Sequence, residues 1–367
     1  MTLTRVTLYR LRLPLIAPYR LSYRTFEAFE PIVVEVSDDV GRTGWGEGHI
    51  SPGSGAETPA AGWAFCCARG AGVVGRTPGE AKASIRARLE PSRVAATAML
   101  VAIEMLEDNP LLHVAEDLRL PLVTPVNSLT PEDIPAEVER RLDDGFGTFK
   151  IKVGQDVEAD LARVQAVQKA IAGRATMRLD ANRAFDRADG RRFAAALDPA
   201  GIELFEQPCA AEDWEANAAV AKVSTVPLML DEPICDIRDI ERAATIDGVA
   251  FCKLKLKRFG GLDRLKAALD RARDLGLEPV LGDGLGSELG CWMEACVARS
   301  TIRNAGEFNG FLKPKTKLFV EPLIFEQGCL VLKAGYRPRI DATVLAAQAV
   351  GREAFTAPKR GARGAAE

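Results

Sequence analysis

Lysines and carboxylates close a series of short apolar runs at a nearly constant interval: Lys150 and Lys152, then Asp180, Glu206, Asp231 and Lys255. Counted from Lys152, the intervals are 28, 26, 25 and 24 residues. One strand, one helix and two short loops have that length, which is the repeat of a (β/α) barrel. Side chains at the C-terminal ends of such strands share one mouth. Three carboxylates gathered there repel one another unless they hold a hard divalent cation. Mg²⁺ takes oxygen ligands and keeps positions open for substrate oxygens. Taken singly, Asp180 or Asp231 suits a helix N-cap. Taken together and flanked by lysines, Asp180, Glu206 and Asp231 point to a metal site.

Lys150 and Lys152 lie two apart on one strand, so both face the interior, about 6.6 Å from each other. At an effective dielectric of ~20 their repulsion is ~2.5 kcal/mol, enough to bring Lys152 towards ~8.5, close to the range of a general base. Lys255 faces Lys152 across the mouth, so the two could address opposite faces of one carbon. Lys253 and Lys257 share its alternation; Lys255 is selected because it stands five residues before Gly260-Gly261.

These side chains need a barrel to hold them, and 367 residues suffice for a barrel plus a smaller unit. Residues 1–115 read as an α+β unit: alternating strands to Leu13, from Pro31 to Val36 and up to Gly44-Trp45-Gly46-Glu47, then an alanine-rich helical stretch. Residues 116–322 read as the barrel. Its outer helices carry apolar stripes such as Val157, Leu161, Val164, Val167 and Ile171. Residues 323–356 read as a return to the front unit, through one or two strands in 323–333, and 357–367 as a frayed tail. A formal charge of -3 and the lack of a basic run argue against a nucleic-acid partner, and no apolar run approaches a membrane span. The eight cysteines have no metal-like spacing and suit idle thiols in a reducing cytoplasm.

The segments Phe149-Lys150-Ile151-Lys152, Asp180-Ala181-Asn182, Glu206-Gln207-Pro208, Asp231-Glu232 and Lys255 to Gly261 resemble the enolase superfamily, in particular its muconate lactonizing enzyme subgroup. The resemblance covers nearly the whole chain. It implies a (β/α)7β TIM-like barrel under an N-terminal α+β capping domain that the C-terminal segment completes. It also implies Mg²⁺ on Asp180, Glu206 and Asp231, and removal of an α-proton from a small carboxylate substrate to give an enolate. Lys152 and Lys255 are then the acid/base pair, with Lys150 a supporting cation. Homo-oligomers are common among such barrels.

No histidine follows His113, which argues against the branch that uses a strand-seven histidine. The strand-seven segment also departs from its own subgroup, with Gly286 where relatives place a glutamate. Glu288 either substitutes for that side chain or opens the following helix, where an acid suits the dipole. The glycines here read only weakly as a phosphate loop. Glu307 and Asn309 resemble in register the Asp-x-Asp with which dipeptide epimerases of the subgroup hold a substrate ammonium, and with Asp283 suit a cationic substrate nitrogen; Glu307 can equally pair with a local arginine such as Arg303. Specificity is expected from loops at 17–29 and 48–57, with Tyr19, Tyr23, Arg24 and Phe26 as contacts; Arg24 either clamps a second anionic group or is a solvated loop residue. The expected activity is racemisation or epimerisation of an amino-acid derivative. Lactonising cycloisomerisation, β-elimination of the o-succinylbenzoate synthase or dehydratase type, and a non-catalytic barrel are the alternatives.

Overall fold

The computed structural model describes residues 1–21 and 24–357. The expectations placed on Tyr23 and on residues 358–367 lie outside the described residues.

The chain opens with β1 (Leu3–Leu11), β2 (Leu13–Arg20), β3 (Thr25–Phe29), β4 (Ile32–Asp38) and β5 (Thr43–Gly48). β1, β4 and β5 form the expected antiparallel meander, and its inner face, Leu3, Val6, Leu8, Ile32, Val34 and Val36, packs on helices Pro59–Val73 and Arg93–Leu106. The Gly-Trp-Gly-Glu run has a steric origin. A Cβ at Gly44 would stand 2.1 Å from the carbonyl oxygen of Ala102, and one at Gly46 2.0 Å from that of Ala98, so only glycine lets the helix backbone lie on this strand.

Residues 17–29 differ from the expected loop. β2 and β3 pair as a hairpin, Leu13 opposite Phe29 and Tyr19 opposite Phe26. Leu13, Leu15, Phe26 and Phe29 are buried in the main core, which outweighs the strand-breaking Pro14 and Pro18 on this two-stranded edge.

After β6 (Leu118–Pro121) the barrel follows with β7 (Thr124–Val126), β8 (Thr148–Lys152), β9 (Thr176–Asp180), β10 (Ile202–Glu206), β11 (Leu228–Leu230), β12 (Val249–Leu254) and β13 (Glu278–Leu281). β7 to β13 form one parallel sheet in sequence order. Residues around Gly306 and Glu307 close it: Glu307 N–H donates to Leu281 O at 2.8 Å on one side, and Val123 N–H donates to Gly306 O at 3.0 Å on the other. A (β/α)7β barrel under an α+β cap is therefore the architecture.

The C-terminal return is only partly as expected. β14 (Ile324–Glu326) pairs with β15 (Cys329–Leu332) and β15 with β6, away from the front sheet, because buried Leu330 and Leu332 belong to the barrel core. The strand that completes the cap is β16 (Ala349–Thr356), antiparallel to β1. Among the described residues no helix is long and apolar enough to cross a membrane.

Candidate active site

Parallel register sets the site. Lys152 pairs with Asp180 and Asp180 with Glu206 across β8, β9 and β10, so three candidate side chains leave the sheet at one level. Asp231 follows one residue after β11, its N–H held at 2.8 Å by Gln207 Oε1. The helix N-caps lie further on, at Asp186 and Asp236, which accept the amides of the next helices. Asp180 and Asp231 are thus free of the capping role that each residue alone would suggest.

Each lysine meets a carboxylate. Lys150 Nζ lies 2.6 Å from Glu206 and 2.9 Å from both Asp180 and Glu307. Lys152 Nζ lies 2.5 Å from Asp180 and 2.6 Å from Asn182 Oδ1. Lys255 Nζ and Arg258 Nη1 both lie 2.9 Å from Asp231. The expected repulsion between Lys150 and Lys152 is therefore offset, since both ammonium groups share Asp180. Burial opposes charge on Lys150, yet Asp180, Glu206 and Glu307 hold it well above the ordinary lysine value. Burial and the charge of Asp180 push Glu206 up to about 7. Burial also works against Asp180, but Lys150 and Lys152 hold it at about 2.

Among the described residues no three His, Cys, Asp or Glu side chains converge on one ion position. The Lys150 ammonium instead stands between Asp180 and Glu206, a cation bridging two oxygen donors. Three buried hard carboxylates on neighbouring strand ends are the donor chemistry that Mg²⁺ takes, so the residues present fit that ion.

The site opens into a cavity of about 260 Å³ lined by Tyr19, Ile50, Lys152, Asn182, Lys255 and Asp283 among others. Glu307 is on its floor, with Lys253 Nζ 2.6 Å away. Asn309 lines a small side cavity next to Lys150 and Lys152; it donates to Val123 O at 2.7 Å and accepts from Lys313 Nζ at 2.8 Å. Three residues are not brought to the mouth. Phe26 is buried in the main core against His49. Arg24 lies over the Phe26 ring beside a separate cavity of the cap. Glu288 accepts the amides of Leu318, Phe319 and Leu323 at 2.7 to 3.1 Å, so it anchors a loop and does not replace the missing strand-seven glutamate.

Sequence reasoning left out several residues that belong here. Lys253 and Lys257 line the cavity beside Lys255, and the alternation that made them ambiguous was their signal. Glu232 lines it too, tethered by Arg183 at 3.3 Å, with its second oxygen buried and without a hydrogen-bond partner among the described residues. Asn182 stood in the Asp180-Ala181-Asn182 segment without a role assigned to it.

Gly286 is explained by the cap. Glu47 accepts the amides of Ser287 at 2.7 Å and Gly290 at 3.0 Å together with the Ser287 hydroxyl, and a Cβ at Gly286, where φ is +93°, would lie 2.7 Å from Glu47 Oε1. The cap carboxylate fills the space of the absent side chain and occupies amides that a phosphate would need. Glu47→Ala is expected to leave these buried donors unmet and to cost about 1–3 kcal/mol for each, read as a lower urea midpoint.

Glu294 accepts the Leu256 amide at 2.9 Å, just past Lys255. Burial, then the charge of Asp283, pushes its pKa from 4.5 up to about 8. The unfolded chain ionises first, so between those values the folded state holds the extra proton and stability falls as pH rises, by about 1.4 kcal/mol per pH unit. Glu294→Gln is expected to remove that slope. Its urea midpoint should exceed the parent's at pH 8, and the gap should narrow towards pH 5.

Cap, barrel and opposed lysines around strand-end carboxylates make this an enzyme of the enolase superfamily. The chain belongs to the enolase C-terminal domain-like family, whose model matches residues 133–336, more than half of its length. It is 28% identical over 339 residues to the L-Ala-D/L-Glu epimerase of Bacillus subtilis (strain 168), covering 87% of this chain and 91% of that one. It is 29% identical over 214 residues to the chloromuconate cycloisomerase of Cupriavidus pinatubonensis, covering 56% and 58%. The crystal structure of N-succinyl Arg/Lys racemase from Bacillus cereus superposes with a TM-score of 0.88 at 22% identity, over 97% of this chain and 100% of that one.

Proposed function

We propose that this protein is a Mg²⁺-dependent racemase or epimerase that takes the α-proton of an amino-acid derivative through its carboxylate. The observation that carries this reading is the placement of Lys152 and Lys255. β8 and β12 are the second and sixth of the eight positions made by β7 to β13 and the closing segment, so they stand opposite each other across the mouth. One amine can remove a proton from one face of the α-carbon while the other returns a proton to the opposite face. Lys150 supplies a fixed positive charge beside the substrate carboxylate. Mg²⁺ held by Asp180, Glu206 and Asp231 would add Lewis-acid charge to that carboxylate. The epimerase and racemase names among the relatives agree with this chemistry.

The nitrogen of the substrate is argued to be neutral. Asp283 is closed by Lys257 at 2.6 Å, and Glu307 by Lys150 and Lys253, so neither offers an open charge to an ammonium. An acylated nitrogen needs no counter-charge.

Proton NMR in D₂O with Mg²⁺, across N-acyl amino acids, dipeptides and hydroxy acids, tests this. Loss of the α-proton signal with the intact protein and not with Lys152→Ala is expected. Loss of substrate with new vinyl or lactone signals would replace isomerisation by elimination or cycloisomerisation. Silence in every pool would overturn the reading.

A further inference from the structure

Lys257 has no role in the proton transfer, yet it is buried in the mouth. It belongs to the short helix Leu256–Phe259 that follows Lys255, so its direction is set by a helical turn and not by strand alternation. Its Nζ lies 2.6 Å from Asp283 and 3.3 Å from the carbonyl oxygen of His49, a residue of the cap. Both side chains of the pair line the cavity, exposed by only 13% and 11%. Lys253, on the other side of Lys255, meets Glu307 at 2.6 Å. The two lysines that flank Lys255 therefore each close an acidic residue, Glu307 on the segment that closes the barrel and Asp283 just past β13.

We infer that Lys257 is a specificity-determining residue: by neutralising Asp283 it makes the pocket reject substrates with a free ammonium group and admit those whose nitrogen is acylated. This rests on the proposed proton-abstraction chemistry and extends it to substrate choice. The physical reason is the cost of burying charge. With Lys257 present, a substrate ammonium would enter beside an existing ammonium with Asp283 already paired, and like-charge juxtaposition works against the wrong substrate. Without Lys257, Asp283 is a buried anion lacking its partner, and a substrate ammonium would restore the lost pairing. Lys257 is preferred over Lys253 for the test because Lys253 also lies 3.4 Å from Glu206, among the residues assigned to the metal.

The measurement is kcat/KM for α-proton exchange, by NMR in D₂O with Mg²⁺, of an N-acetyl amino acid and of a dipeptide with a free amino terminus. The parent protein is expected to favour the N-acetyl compound. Lys257→Met is expected to move the ratio towards the dipeptide by tenfold or more, and the double variant Lys257→Met with Asp283→Asn to bring it back. A purely structural role would not make the second substitution restore the first. Lys257→Gln keeps a donor for Asp283 and is expected to shift the ratio less in the same direction; it carries the test if the Met variant fails to fold. A ratio equal to the parent's in variants that still exchange the N-acetyl compound overturns the assignment, as does a shift that persists in the double variant. A parent protein that exchanges neither compound overturns the underlying chemistry, a result visible before any variant is made.

Discussion

Lys152→Ala and Lys255→Ala are each expected to lower α-proton exchange by roughly 10²–10⁴-fold, the contribution of a positioned general acid or base. The two losses should differ in stereochemistry. Lys152 leaves the β8 wall through Asp180 and Asn182, and Lys255 leaves the β12 wall through Asp231, so in the proposed reaction each amine would approach one face of the α-carbon. With separate L and D substrates, each variant should first lose exchange of a different antipode. Loss of the same antipode in both would show that the lysines act on one face, and the two-base arrangement would fall. Neither substitution should unfold the protein, because Asp180 keeps Lys150 and Asp231 keeps Arg258.

Removal of the divalent cation is expected to abolish exchange altogether, and added Mg²⁺ to restore it. The protein stripped by EDTA should nonetheless stay folded. Asp180, Glu206 and Asp231 are each met by at least one ammonium or guanidinium group, so the metal-free carboxylates are not left as uncompensated buried charges. Far-ultraviolet circular dichroism should therefore survive chelation while activity does not. Saturating Mg²⁺ should raise the melting temperature by mass action, about 2.7 kcal/mol at one hundred times its dissociation constant. Full exchange in excess EDTA would remove the metal from the mechanism.

Much of the barrel was legible in one dimension. A parallel strand must be followed by a helix before the next strand can begin, so strand ends recur at a nearly fixed interval and functional residues on them inherit that period. The front meander was legible for a similar reason, since alternation and turn residues are local. The hairpin of β2 and β3 was not. Pro14 and Pro18 interrupt the local signal, and only burial of Phe26 and Phe29 against the barrel core reveals two strands. The C-terminal strands show the same limit: β15 is a short apolar segment and β16 a longer, largely exposed one with Arg352 and Glu353, and nothing local tells one to join β6 and the other β1.

Within the site the division is sharper. Chain order by itself determined which side chains stand at the strand ends, because that follows from strand spacing and side-chain alternation. Tertiary structure decided what each of them meets. Glu307 closes over Lys150 and Lys253, and Lys257 over Asp283, where sequence suggested open acids for a cationic substrate. Glu288 turns to backbone amides, and Glu47 reaches from the cap to fill the space at Gly286. Charge pairing acts through space over a few ångströms, between residues that lie tens to hundreds of positions apart, so their spacing along the chain carries no trace of it.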